Sequence, residues 1–292
     1  MHPFFKNIIR LIRLKHWIKN TFIFLPIFFA GKINLIFSDN LMFLFFSFCL
    51  ASSAVYVLND IFDVEKDRLH PLKKERPIAS GFFSIKTGYF IFIILAILFL
   101  TSLILIKESY LYVLLYFVLN VLYSFKLKHI SIVDVSCISV GFVLRVLAGG
   151  YQANVYVSHW MIIMIFLLTI SIAFAKRRDD LGLGIEKETL RKSLSGYTLQ
   201  FLDVAKSISF SITLISYVLY SISPEVIARI GSDKLYITSL FVFMGIMRYL
   251  QISIIDKNTG SPIQVLIKDR FIQFTILLWG LTFFYIIYGK VI

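Results

Sequence analysis

Asn59, Asp60, Asp63 and Asp67 put four oxygen-bearing side chains into nine residues, and Asn59, Asp63 and Asp67 are spaced four apart. On a continuing helix that spacing stacks the three on one stripe, with Asp60 about 100° round from Asn59. Hard oxygen donors gathered this way suit a hard cation, above all Mg²⁺, which keeps several waters and binds through one or two carboxylates plus substrate phosphates. Bases follow the acids: Arg68, Lys73, Lys74 and Arg76, the last in a rigid Arg76-Pro77 turn. A guanidinium offers phosphate oxygens a planar fork and an ammonium a point charge. Acids followed by bases therefore suit a magnesium-bound diphosphate, with Arg68 and Arg76 read as phosphate contacts and Lys74 and Glu75 as a solvated loop. A plain solvated acidic helix end is the competing reading; it is disfavoured because an acid at membrane depth needs a partner.

A second cluster, Lys176-Arg177-Arg178-Asp179-Asp180, closes a later apolar stretch. Lys176, Arg177 and Asp180 are candidates for the same pocket, against the alternative of a stop-transfer charge cluster. Tyr123, Lys126 and Lys128 close another stretch and add to the candidates. Asp134 and Arg145 share one span, about 16 Å apart along a helix, too far for a direct pair. Asp134, near the span's end, is placed to line the site, whereas Arg145 lies deeper and needs an acid or phosphate partner. Lys19, just after Trp17, either reaches a headgroup or anchors the chain at the interface, and Asp269 and Arg270 carry a similar ambiguity. The five histidines, His2, His16, His70, His129 and His159, show no paired metal spacing. There is no P-loop, Gly-rich dinucleotide fingerprint or nucleophile elbow, so ATP- or NAD-driven chemistry has no support.

The elements that must hold these residues are membrane helices. Of 292 residues 58% are hydrophobic, and the formal charge of +13 lies in short clusters between long apolar runs, the layout of a polytopic membrane protein. Cys49 and Cys137 both fall inside apolar segments and read as packing residues. Residues 1–16 alternate apolar and basic side chains and predict an interfacial amphipathic helix rather than a cleaved signal. Nine spans follow, at about 20–37, 41–62, 87–106, 110–125, 131–150, 159–176, 204–222, 235–255 and 271–289, within one transmembrane domain covering 1–292. The shortest, 110–125, and the charged one, 131–150, matter most, because losing either inverts the sidedness. With nine spans, 23 of the 30 Lys and Arg lie on the N-terminal side and five on the other. The positive-inside rule then puts the N-terminus and the acidic motif in the cytoplasm, in an inner (plasma) membrane. No nucleic-acid partner is expected, and assembly into a homo-oligomer stays open.

Asn59-Asp60-x-x-Asp63-x-x-x-Asp67, followed by Arg76-Pro77-Ile78-Ala79-Ser80-Gly81, resembles the first aspartate-rich motif of the UbiA superfamily of intramembrane prenyltransferases. The resemblance implies an all-α bundle of nine transmembrane helices around a central cavity. It also implies two acidic motifs that hold Mg²⁺ and a diphosphate at the cytoplasmic mouth, with Asn59, Asp63 and Asp67 as metal ligands. The chain departs from the typical member where Lys176-Arg177-Arg178-Asp179-Asp180 replaces an Asp-x-x-x-Asp pattern, and where the Lys usually four residues after Tyr123 is displaced to Lys128. These departures look like the decaprenyl-phosphate phosphoribosyltransferase branch. So do Lys15-His16-Trp17-Ile18-Lys19-Asn20, Asp67-Arg68-x-His70-Pro71, the run Gly141 to Gly150 and Lys268-Asp269-Arg270. That branch implies transfer of 5-phosphoribose from phosphoribosyl diphosphate (PRPP) to a polyprenyl phosphate. Such a reaction holds a diphosphate, a ribose 5-phosphate and a lipid phosphate together, and Lys176 and Arg177 supply the extra positive charge. Two alternatives stay open: a prenyltransferase moving an isoprenyl group onto an aromatic or other acceptor, and a non-enzymatic lipid transporter. The one-sided clustering of charge argues against a carrier, whose site is expected near the midplane.

Overall fold

Chain segments in lipid must satisfy their own backbone hydrogen bonds, which leaves helices or closed barrels. The computed structural model describes residues 2–71, 73–106, 109–182, 192–256, 265 and 267–289, and among them there is no strand. Among the described residues seven helices are long and apolar enough to cross a membrane. They are α3 (Asp39–Phe62), α5 (Ile85–Ser102, continued by a 3₁₀ turn to Leu105), α7 (Val133–Gln152), α8 (His159–Gly182), α9 (Leu199–Ser221), α11 (Ser239–Gln251, extended by 3₁₀ and π turns) and α12 (Arg270–Tyr288). An eighth apolar helix, α6 (Tyr110–Phe125), has 16 residues, about 24 Å of rise. Short helices α1 (Pro3–Leu11), α2 (Leu25–Phe29), α4 (Val64–Leu69) and α10 (Pro224–Ile230) accompany them among the described residues.

Eight of the nine expected spans thus have a helix, and the first does not form as one continuous element. Residues 20–37 are divided among a 3₁₀ segment (Leu14–Phe24), α2 and a second 3₁₀ segment (Ile33–Phe37). Pro26 lacks an N–H and occupies the first turn of α2, and Gly31 takes a left-handed φ of 71°, so neither end of α2 propagates. The interfacial helix is also shorter than expected. It stops at Leu11, and Arg13 turns the chain through a left-handed φ of 54°. Phe4 and Phe5 on α1 are exposed while Leu11 is buried, as an amphipathic surface helix requires.

The chain divides into two compact units, one chiefly Met1–Cys137 with Leu144–Tyr156, the other chiefly Val157–Glu186 and Lys192–Ile292 with Ile138–Val143. In the first unit α3 is the central helix, packed by α5, α6 and the Leu14–Phe24 segment. Leu44, Phe48 and Ala51 of α3 meet Ile23, Phe99, Val113 and Tyr116 in its core. Gly149 of α7 lets the backbone of Ile23 come so close that a methyl group there would overlap the Ile23 carbonyl oxygen. In the second unit α8 packs on α9 and α11 on α12. Trp279 donates to the Tyr217 hydroxyl (2.8 Å), which pairs with the Thr238 hydroxyl (2.6 Å), joining α9, the turn before α11 and α12 through polar groups that lipid cannot satisfy.

Candidate active site

The acidic motif straddles the end of α3. That helix closes at Phe62, Asp63 takes φ −94° and ψ 4°, and α4 begins at Val64. The helix is therefore not continuous through the motif, yet the stripe survives. The Asp63 N–H reaches the Asn59 carbonyl at 3.0 Å and the Asp67 N–H reaches the Asp63 carbonyl at 2.8 Å.

Each acid of the motif has a cation. Lys128, in the 3₁₀ turn after α6, donates to Asp63 Oδ1 (2.6 Å) and Asn59 Oδ1 (3.1 Å), while the Asn59 amide donates to Asp63 Oδ2 (3.0 Å). Arg76 donates to Asp67 Oδ2 (2.5 Å) and to Asp60 Oδ1 (3.1 Å). Arg13 donates to the same Asp60 oxygen. The Asp60, Asp67 and Lys128 side chains are 2%, 6% and 3% exposed, a depth at which an unpaired charge is prohibitive. Arg13 was absent from the candidates read out of the sequence. Its position is fixed by Trp17, which donates to the Ser53 hydroxyl (3.0 Å), and by Ser53, which donates to the Ile12 carbonyl (2.9 Å). Its guanidinium then stacks 4.6 Å over the Tyr56 ring. Arg10 of α1 donates to the Glu75 carbonyl (3.0 Å), tying the interfacial helix to the loop that carries Arg76.

Asp63, Lys66, Asp67, His70, Lys73, Lys128 and His129 line a cavity of about 20 Å³, room for about one water. Among the described residues no three His, Cys, Asp or Glu side chains converge into a ready-made metal cage. Mg²⁺ does not demand one, since substrate phosphates and waters complete its shell. The carboxylate and amide oxygens of Asn59, Asp63 and Asp67 are of the right hardness, so the donor set fits the ion, provided that Lys128 and Arg76 give up their share.

The other candidates sit as follows. Arg68 is half exposed and engages Glu65 Oε1 (3.1 Å) and the Ala79 carbonyl (3.4 Å), away from the motif's acids. Lys19 lies beside the Tyr56 hydroxyl, and Tyr123 is half-buried on α6. Asp134 is fully buried in the first turn of α7, the helix end that favours a carboxylate. Arg145, expected to need an acid or a phosphate, is buried and donates to Asn20 Oδ1 (2.8 Å) and the Tyr116 hydroxyl (2.9 Å). Its guanidinium also lies 4.3 Å from the Tyr116 ring centre and 5.5 Å from that of Phe48, so neutral acceptors and π-faces share its charge.

The second unit carries its own charged cluster. Lys176 is exposed, and Arg177 is buried and donates to Asp180 Oδ2 (3.3 Å). Arg178 turns instead to Asp203 of α9 (2.7 Å), which also accepts from Lys206 (2.9 Å); Lys206, fully buried, donates to the Ser253 hydroxyl (2.6 Å). Asp203, Lys206 and Ser253 were not singled out by sequence reasoning, although an Asp and a Lys one turn apart inside an apolar helix were the available signal. Arg248 donates twice to Asp269 Oδ2 (3.0 and 2.7 Å), whose other oxygen caps α12 by accepting from the Ile272 N–H (2.9 Å). Those Arg248 hydrogen bonds hold the Asp269 carboxyl below the usual carboxylate range.

The UbiA prenyltransferase family matches this chain over residues 21–288. The decaprenyl-phosphate phosphoribosyltransferase of Mycolicibacterium smegmatis is 30% identical over 286 residues, covering 94% of this chain and 90% of that protein. Its namesake in Mycobacterium tuberculosis is 28% identical over 284 residues, covering 94% and 91%. Among solved structures, a UbiA homolog from Archaeoglobus fulgidus bound to DMAPP and Mg²⁺ aligns with a TM-score of 0.70 at 18% identity, over 96% of this chain and 99% of that one; identity that low speaks to the fold. A multi-pass, all-helical membrane protein matched along nearly its whole length in this way is a transferase of the UbiA prenyltransferase family, to which the chain belongs.

Proposed function

We propose that this protein transfers 5-phosphoribose from PRPP to a polyprenyl phosphate, in a Mg²⁺-dependent reaction at the cytoplasmic face of the inner membrane. The observation that carries the reading is the pairing of Asp60, Asp63 and Asp67 with Arg13, Lys128 and Arg76. One small region thereby holds acids for a metal and cations for phosphates. Relatives named for this reaction along nearly their full length support the choice of substrates. The 18 Lys and Arg in and beside the connections after the second, fourth, sixth and eighth expected spans, which share one side whether or not the broken first segment crosses, support the orientation.

Mg²⁺ on Asn59, Asp63 and Asp67, when bound, supplies charge against the negative charge that builds on the departing diphosphate. Arg76 and Lys128 bind phosphate oxygens and keep the leaving group aligned. The C1–oxygen bond of the ribose breaks through an oxocarbenium-like transition state, and a lipid phosphate oxygen forms the new bond at C1. That phosphate is already an anion, so no histidine is needed as a general base. Lys19, Arg76 and Lys128 share the acceptor phosphate and the ribose 5-phosphate, with Arg68 the least well placed of the cations. Asp60 positions Arg76; Tyr123, Asp134 and Arg145 shape the pocket.

Membranes containing the protein, given a polyprenyl phosphate with either ribose-labelled PRPP or labelled isoprenyl diphosphate plus an aromatic acceptor, test the reading. Ribose label entering the lipid fraction is expected. Label entering only from isoprenyl diphosphate would establish the prenyltransferase alternative, and metal-independent movement of lipid with neither transfer would point to a transporter.

A further inference from the structure

One face of α11 turns an apolar stripe outward. Leu240, Phe243, Met244 and Met247 are all exposed, and their spacing places them on one side of the helix. Arg248 and Gln251 continue the same face and end the stripe in polar groups. From Leu240 to Gln251 the rise is about 16 Å, about half of a hydrocarbon core roughly 30 Å thick. Beside α12 the stripe opens into a groove of about 420 Å³ lined by Met244, Met247, Arg248, Gln251 and Phe271, within the size range of a small-molecule site. The result is an apolar trough one leaflet deep with a polar head at one end.

The charge at that head is positive. Arg248 donates to Asp269 and to Gln251 Oε1 (2.9 Å), and Asp269 is flanked by Lys268 and Arg270, both exposed. Three cations thus surround one carboxylate, next to the Phe271 that walls the groove, and such an end draws an anionic headgroup. Methionines are unbranched and adaptable, which suits a trough for a chain of variable shape. A second copy of this protein fits less well. Copies related by an axis along the bilayer normal share one depth, so laying this face on itself sets Arg248, Lys268 and Arg270 opposite their own counterparts.

We propose that the groove between α11 and α12 binds an anionic phospholipid of the surrounding leaflet. Its headgroup phosphate rests against Arg248, Lys268 and Arg270, and one acyl chain lies along Met247, Met244 and Leu240. Such a lipid bridges α11 to α12 from outside and takes no part in the transfer reaction.

The test uses the full chain purified in detergent and stripped of lipid, titrated with dioleoyl phosphatidylglycerol or dioleoyl phosphatidylcholine, with bound molecules counted by native mass spectrometry. Wild type is expected to hold phosphatidylglycerol about tenfold more tightly than phosphatidylcholine. The double substitution Lys268→Gln with Arg270→Gln should erase that preference. Lys86→Gln, at another exposed lysine in the first turn of α5, should leave it intact. Met247→Trp crowds the trough and should weaken both lipids about tenfold. Equal affinity of wild type for the two lipids, or a preference that survives the double substitution, overturns the site. Three other results overturn it by naming a different occupant. Displacement of phosphatidylglycerol by inorganic phosphate would make this a free-anion site. Displacement by a polyprenyl phosphate at about tenfold lower concentration than phosphatidylglycerol itself would give the groove to the substrate. A Met247→Trp protein with fewer chains per particle and undiminished phosphatidylglycerol binding would make the face a contact between copies.

Discussion

The two charged clusters of this membrane protein are built in opposite ways. In the first unit the opposite charges come from remote parts of the chain: Arg13 meets Asp60 across 47 residues, and Lys128 meets Asp63 across 65. The Lys128–Asp63 pair borders a cavity. In the second unit Asp203 and Lys206 are one helical turn apart, Arg178 reaches Asp203 from the helix packed alongside, and Ser253 accepts a second hydrogen bond from a lysine with no exposed surface. Ion pairs that span the fold and open on a cavity can change partners when a charged ligand arrives. Ion pairs sealed between two packed helices fasten those helices. Similar residue types thus serve a binding site in one unit and a helix clamp in the other.

Substitutions that separate activity from stability break or sharpen this contrast. The largest effect is expected for Asp63→Asn, which removes a metal-holding carboxylate and leaves Lys128 with neutral amide oxygens in place of its anionic partner. Transfer of labelled ribose in membranes should fall about 100-fold or more, and a loss under about tenfold, only about 1.4 kcal/mol, is too small for such a role. Next comes Asp203→Asn, which strands the buried Lys206 and Arg178. Unfolding in detergent should become easier by about 3 kcal/mol, with the transfer rate per folded molecule within about threefold of wild type; a large loss of rate with normal melting would make Asp203 part of the chemistry. Arg68→Gln should cost no more than about threefold in transfer, about 0.7 kcal/mol, because its partners are Glu65 and a backbone carbonyl; a loss approaching that of Asp63→Asn would show that it moves onto a phosphate.

The smallest effect concerns pH. Arg248 depresses the folded-state pKa of Asp269, so the carboxylate contributes stability above its unfolded value of about 3.9. That contribution disappears as pH falls through the lower folded value. Melting of the wild type should therefore drop more steeply below about pH 4 than melting of Asp269→Asn, by about 0.5 kcal/mol for a partly exposed pair. Parallel curves would remove Asp269 from the account.

Much of this arrangement was legible in the sequence, and the boundary follows the range of the interactions. The stripe of Asn59, Asp63 and Asp67 rests on a four-residue period and was visible locally; only the break at Asp63 was not, since nothing in the residue types ends the helix there. Arg76 stood out in its Arg-Pro turn and Lys128 at the close of an apolar stretch. Arg13 did not, because it continues the basic periodicity of the interfacial helix, and its role depends on a left-handed turn and on an acid 47 residues away. The expected first span overran Pro26 and Gly31, two breakers that the count of apolar residues did not weigh. Lys206 was counted as one more positive charge near a membrane surface, whereas burial between helices is a property of packing that hydropathy does not carry.

One side-by-side measurement bears most directly on the contrast: melting and labelled-ribose transfer, at equal amounts of folded protein, for Asp67→Asn and Asp203→Asn. Asp67→Asn leaves Arg76 on Asp60 and should keep the wild-type melting point while losing about 100-fold in transfer. Asp203→Asn should lose stability and keep transfer. If both substitutions lower melting and leave the rate per folded molecule unchanged, the acidic motif is a clamp like its counterpart, and the proposed chemistry is wrong.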